Sequence, residues 1–252
     1  MDIGKSFSYV FEDPKWITKV AIGGGIFFGG VILSFLLGLP LLAAMMVIMG
    51  YSLTVLKNVY EGSPAPLPEW NDFGALFMKG LYAVIGMIVI FIPTILIACC
   101  NAAITGFLAN QTSDSSGNTA QAASIVLTCL QCISAIYSLV AVVYLYAPLS
   151  RYALNGQLST FWDFGGNLAY IRANIGSYVI ALILAIVAGI AAEIVGTIAC
   201  FIGVFFTYFW SQLVMAHLFG QYARTAAGTA GPAPMSPMSP MAPPPMTPTP
   251  LQ

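Results

Sequence analysis

Few side chains in this sequence could do chemistry, and their types and spacing restrict what that chemistry is. Glu193 stands alone in the apolar stretch from Ala173 to Ala223. A carboxylate inside a membrane is costly and marks a proton or cation site by default. Placed near a turn between two spans it is instead a solvated acid, which is the preferred reading. His217, the sole histidine, lies 24 residues further on, nearly a full membrane thickness along a hairpin, so the two cannot pair. A lone imidazole at a membrane boundary reads as an interface residue rather than a ligand.

Cys99, Cys100, Cys129, Cys132 and Cys200 share one depth in the outer half of the apolar stretches. A disulfide from Cys99 or Cys100 to Cys129 or Cys132 needs touching helices and an oxidising compartment; small-residue packing is the simpler reading. The Cys-x-x-Cys pair lacks a strand-turn-helix setting and has no histidines to complete a zinc site. Asn110-Gln111-Thr112 matches a glycosylation sequon, relevant only in a eukaryotic secretory route. Met235, Met238 and Met241 recur every third residue and would suit Cu(I), yet no His or Cys accompanies them, so a spacer or a docking segment is the better reading. There is no phosphate-binding glycine loop, no Gly-x-Ser-x-Gly, no His-Glu-x-x-His and no buried acid pair. Catalytic residues, cofactors and metals are therefore not expected.

The elements that hold these residues follow from composition. Of 252 residues, 59% are hydrophobic and 7% charged, with Lys+Arg 8 against Asp+Glu 9. A soluble domain carries roughly 25% charge, so this is an integral membrane protein, and without a basic cluster it does not bind nucleic acid. Between Lys19 and Lys57 lie 37 uncharged residues. As one helix they would run about 55 Å against a hydrocarbon core of roughly 30 Å, so they cross twice, turning at Gly38-Leu39-Pro40. A third span runs from Gly80 to about Leu108 and a fourth from about Ala122 to Ala147; two more fit near 175 to 194 and 198 to 220. This count places Lys5, Lys15, Lys19, Lys57, Lys79, Arg151, Arg172 and Arg224 on one side. The positive-inside bias then puts both termini in the cytoplasm of a multi-pass cell-membrane protein. The first apolar stretch is too long, and its flank too mixed in charge, for a signal peptide.

The fold class expected is all-α, with six transmembrane helices as three hairpins preceded by cytoplasmic interfacial amphipathic segments. The repeats fall at about 5–62, 63–156 and 157–224, giving a membrane domain over 1–224 and a Pro/Met-rich disordered tail over 225–252. The exits Lys57-Asn58-Val59-Tyr60-Glu61-Gly62 and Arg151-Tyr152-Ala153-Leu154-Asn155-Gly156 keep base and glycine at one offset. Trp16, Trp70, Phe73, Trp162 and Phe164 are interfacial anchors, with a lateral gate or lipid-binding surface as the functional alternative. Asp13 before Pro14 reads as an N-cap, and Thr160 with Asp163 as a capping box. Small-residue ladders (Ala21, Gly25, Gly29; Gly30, Ser34, Gly38; Ala98, Ala102, Gly106; Ala181, Ala185, Gly189) put the opening helices of the repeats in an inner packing ring, the sharper reading being a glycine-lined pore.

With Asp13-Pro14-Lys15-Trp16, Leu67-Pro68-Glu69-Trp70-Asn71-Asp72-Phe73-Gly74 and Ala216-His217-Leu218-Phe219-Gly220-Gln221 in view, the chain resembles the prokaryotic membrane family catalogued as domain of unknown function 4013, over about residues 5 to 224. The resemblance implies a multi-span protein and brings no activity or catalytic residue with it. The function expected is a non-catalytic scaffold or accessory subunit working with the bilayer and a protein partner or second copy. The alternative is a small-solute or lipid transporter with discontinuous helices at Pro40, Pro93 and Pro148.

Overall fold

A computed structural model describes residues 2–110, 117–199 and 201–229, and every regular element among them is helical. The order is α1 (Ile3–Glu12), α2 (Trp16–Leu37), α3 (Pro40–Glu61), α4 (Phe73–Asn110), α5 (Gly117–Asn155), a 3-10 turn (Leu158–Phe161), α6 (Phe164–Ala173), α7 (Ile175–Ile198) and α8 (Gly203–Thr229). Five of these helices, α2, α3, α4, α5 and α7, are long and apolar enough to cross a membrane. The eighth is 27 residues long but carries Ser211, Gln212, His217 and Gln221. Its neighbours explain the difference: α1, α2, α3, α5, α6 and α7 all pack against α8. A helix enclosed by protein needs no lipid-facing apolar surface of its own.

The turns follow local chemistry. Gly38 ends α2 at φ 74°, where only glycine is unstrained, and Pro40 starts α3 at a position whose amide has no helical partner anyway. Gly62 closes α3 in the same left-handed way. Pro93 and Pro148 lie inside α4 and α5, which run continuously through them, so these prolines do not divide the helices as the transporter reading required. At 38 and 39 residues these two helices are each about 57 Å long, well beyond a hydrocarbon core of roughly 30 Å.

The packing ring is not the one expected. The core is centred on the closing helices, with Tyr51 and Val55 of α3 and Phe209, Leu213, Val214, Leu218, Phe219 and Tyr222 of α8 fully buried. On α2 the useful small residues are Gly23 and Gly24, which form sockets for the rings of Phe209 and Phe206, and Gly30, which faces Ala44. Gly25 and Gly29 face open space. The ladder was read by spacing, whereas a glycine is needed where a large side chain arrives from the opposite helix. The closest helix crossing joins α3 to α4: a Cβ at Gly50 would strike the Leu76 carbonyl, and one at Gly80 the Met46 carbonyl.

The lead-in segments also differ. The first and the third contain separate helices, α1 and α6, whereas Trp70 precedes α4 in irregular backbone. Asp13 does not cap α2, whose N-cap is Lys15, and its Oδ1 accepts the Lys15 N–H at 2.7 Å. Asp163 is the N-cap of α6, accepting from the Gly166 N–H, while Thr160 sits in the 3-10 turn and donates to the Gln157 carbonyl. Asn167 is fully buried on the face of α6 that meets the bundle, whereas Leu168 and Phe164 are exposed, with the Phe164 ring stacked on Tyr144 at 6.0 Å.

Glycine-to-alanine substitution in a helix normally stabilises slightly. Here Gly50→Ala and Gly80→Ala are each expected to lower stability by about 1–3 kcal/mol through overpacking, whereas Gly25→Ala should be neutral or stabilising. Thermal unfolding of the three variants in detergent separates the cases, and equal Tm values would refute the crossing described.

Candidate functional site

One end of the bundle gathers the polar chemistry. Lys19, near the start of α2, is 4% exposed. Its Nζ donates to Asp13 Oδ2 at 2.8 Å and to the Leu67 carbonyl at 2.9 Å, and pairs with Glu69 Oε1 at 3.3 Å. A buried ammonium is tolerable only when its three protons are satisfied, and this one meets three acceptors. The segment it grips is held by two more bonds: Asn58 Nδ2 donates to the Pro66 carbonyl at 2.9 Å and the Tyr51 hydroxyl to the Pro68 carbonyl at 2.8 Å. Trp70 then stacks on Tyr51 at 4.2 Å, and its Nε1 donates to the Lys19 carbonyl at 3.2 Å. The Leu67-Pro68-Glu69-Trp70 segment is thus clamped through consecutive backbone carbonyls.

A second clamp holds the 3-10 turn and α6. Arg151 donates to Asn167 Oδ1 at 2.7 Å and to Asp163 Oδ2 at 2.8 Å. Asn167 Nδ2 donates in turn to the Tyr144 hydroxyl and the Thr160 carbonyl. Phe161 fills the notch at Gly86, while Trp162 is about half exposed. The buried aromatic of this segment is therefore Phe161, one position before the tryptophan that the sequence pattern singled out.

The third assembly docks α1. His217 is buried, with Nδ1 at 3.0 Å from the Ser6 hydroxyl and its ring stacked on Tyr9 at 4.2 Å. The Tyr9 hydroxyl donates to the Leu213 carbonyl at 2.8 Å. Gln221, one turn beyond His217, accepts the Asp2 N–H and donates to the Asp2 carbonyl. His217 is therefore a packing and hydrogen-bonding residue within the protein, and α1 itself escaped sequence reading because its partners lie more than 200 residues away.

Between α1, the 62–67 loop and the end of α8 lies a cleft of about 800 Å³. Asp2, Lys5, Glu12, Asp13 and Arg224 bring charge of both signs to it, and Pro14, Pro64 and Pro66 stiffen its rim. Lys19 holds the Glu69 carboxyl below the usual carboxylate range. Burial pushes the Asp13 carboxyl up, but the Lys19 hydrogen bond, the Lys15 amide and both ammonium charges bring it below the ordinary value. The Arg151 hydrogen bond and the Gly166 amide lower that of Asp163.

The other sequence candidates lie elsewhere. Glu193 is within α7, five residues before its end at Ile198, rather than in the turn, and it lines a cavity that His217 does not share. Cys99, Cys100, Cys129 and Cys132 are free and exposed on α4 and α5. Of the interfacial anchors, Trp16 packs edge-on against Phe11 and Trp70 stacks on Tyr51, while Phe73 and Phe164 are exposed. Cys200, the sequon beyond Asn110, and the Met/Pro tail from residue 230 lie outside the described residues.

Because the native carboxyls of Asp13 and Asp163 sit below their unfolded values, their stabilisation is complete above about pH 4 and is lost as pH falls through the depressed values. Unfolding in detergent should shift to lower temperature between pH 6 and pH 3, less so in Asp163→Asn. Removing the ammonium with Lys19→Ala strands the Asp13 and Glu69 carboxylates and the Leu67 carbonyl and should cost about 3 kcal/mol or more. A Tm unchanged from the parent would contradict the clamp.

A family model described as Protein of unknown function (DUF4013) matches residues 32–201. The match contains Leu67 to Gly74 but leaves out Asp13 to Trp16 and Ala216 to Gln221, so it is narrower than the resemblance read from the sequence. No curated protein and no solved structure matches.

Proposed function

The chain belongs to the DUF4013 family of proteins of unknown function, and from its own geometry we propose a non-catalytic membrane scaffold or accessory subunit that receives a cytoplasmic partner at its charged end. In this reading α2, α3, α4, α5, α7 and α8 make six spans as three hairpins, with α8 counted as a span because its neighbours shield it from lipid. The basic residues support a cell-membrane orientation with both termini in the cytoplasm. The α1 helix, the Trp70 segment and α6 then lie along the cytoplasmic face.

The observation that carries the reading is the 800 Å³ cleft. It is walled by the clamped 62–67 loop, the docked α1 and the end of α8, and both acids and bases line it. A preformed cleft of mixed charge suits a polypeptide segment carrying both signs, whose register the placement of these charges would select. The second reading, a solute or lipid permease, is favoured by two adjoining cavities of about 200 and 300 Å³ between α5 and α8 that share Tyr146, Tyr208, Gln212 and Met215.

A photo-crosslinking residue in place of Ser63 should trap one partner in stoichiometric yield, and Lys5→Glu with Arg224→Glu should abolish the adduct. Solute or lipid flux in proteoliposomes that depends on Glu193 or His217 would instead establish the permease. Lys57→Cys should resist membrane-impermeant thiol reagents added outside intact cells, and labelling there would reverse the orientation.

A further inference from the structure

The cavity at Glu193 lies apart from the charged cleft and is built for a different ligand. It occupies about 300 Å³ between α5, α7 and α8. Ala185 and Gly189 precede Glu193 by two turns and one turn on the same helical face, and a Cβ at Gly189 would meet nothing within 4 Å. Of the fifth-span ladder of small residues, Ala181 is buried in the core, whereas Gly189 makes room here instead of packing a neighbour. Opposite stand Tyr146 from α5 and Tyr208, Ser211 and Gln212 from α8. The Ser211 hydroxyl donates to the Tyr208 carbonyl at 2.7 Å, which leaves its oxygen to accept.

The polar lining is one carboxylate, three hydroxyls and one amide, with two aromatic rings and no Lys, Arg or His. Its complement is a positive charge. An ammonium gains from the carboxylate and from a tyrosine face, whereas a phosphate would find no cation. Past Tyr146, Tyr208, Gln212 and Met215 the cavity adjoins a second one, about 200 Å³, lined mainly by Met49, Leu53, Met87 and Leu145. That space accepts an apolar group.

We propose that Glu193 and Tyr208 form a binding site for a small amphiphilic organic ammonium, its charged head against the carboxylate and its apolar part in the adjoining cavity. A lipid headgroup brings the same ammonium with a phosphate attached, for which the lining offers no counter-charge, so the occupant is a free amine. Binding is the property claimed, and it holds whether or not the protein moves solute.

The test uses the full chain in dodecyl maltoside micelles, titrated calorimetrically with benzyltrimethylammonium. Saturable binding is expected, weakened about tenfold or more by Glu193→Gln. Tyr208→Leu should weaken it about threefold to tenfold, while Tyr208→Phe, which keeps the ring, should not. Thermal unfolding of each variant at the parental temperature establishes that the fold is intact. Absence of saturable binding by the parent, or equal affinity in Glu193→Gln, would overturn the site. Competition by added phosphatidylethanolamine would overturn the assignment to a free amine.

Discussion

A single ammonium, buried where α2 begins, ties the turn before that helix to a loop nearly fifty residues away. Taking a charge out of water costs several kcal/mol unless every proton finds an acceptor, so Lys19 must bring the Asp13 turn and the Leu67–Glu69 loop to itself. Once that loop is held, Trp70 has no place but the face of Tyr51, and Tyr51 in turn meets Phe209. Phe209 seats in the socket at Gly23, which aligns α8 along α2 and α3. From that alignment His217 and Gln221 arrive under α1 and give it a docking surface. The charged end is thus a chain of consequences that starts from one desolvated group.

The second clamp shows what the same device is worth when it is wetter. Side chains of the Lys19–Asp13 pair are 5% and 9% exposed, against 25% and 49% for Arg151–Asp163. Solvent screens the latter pair, and an exposed ion pair contributes little by itself. What holds α6 is therefore chiefly the fully buried Asn167, which satisfies Arg151, Tyr144 and a backbone carbonyl at once. The two clamps share a plan but distribute their strength differently.

Much of the architecture was legible in the residues. Charge spacing located the apolar helices, and the Gly38-Leu39-Pro40 turn falls where glycine and proline chemistry place it. The Leu-Pro-x-Trp segment was visible as a motif, but its role was not, because the groups that Lys19, Tyr51 and Asn58 seize are backbone carbonyls, which every residue has. Small-residue spacing misplaced the packing ring for a related reason: whether a glycine is a contact, as at Gly23, or a void, as at Gly189, depends on what faces it. The candidate sites were the least legible, since Glu193 acquires its cavity from α5 and α8 and the cleft acquires its walls from both ends of the chain.

The polar character of α8 has a bearing on how the protein is made. Synthesised last among the described helices, it carries Ser211, Gln212, His217 and Gln221 and would partition poorly into lipid by itself. It can settle only against helices already inserted, with the glycine sockets of α2 waiting for its phenylalanines. Until then α1, although it is made before α8, has nothing to fold onto. The first of the described helices is consequently among the last to find its place, and biogenesis closes by joining it to the last of them.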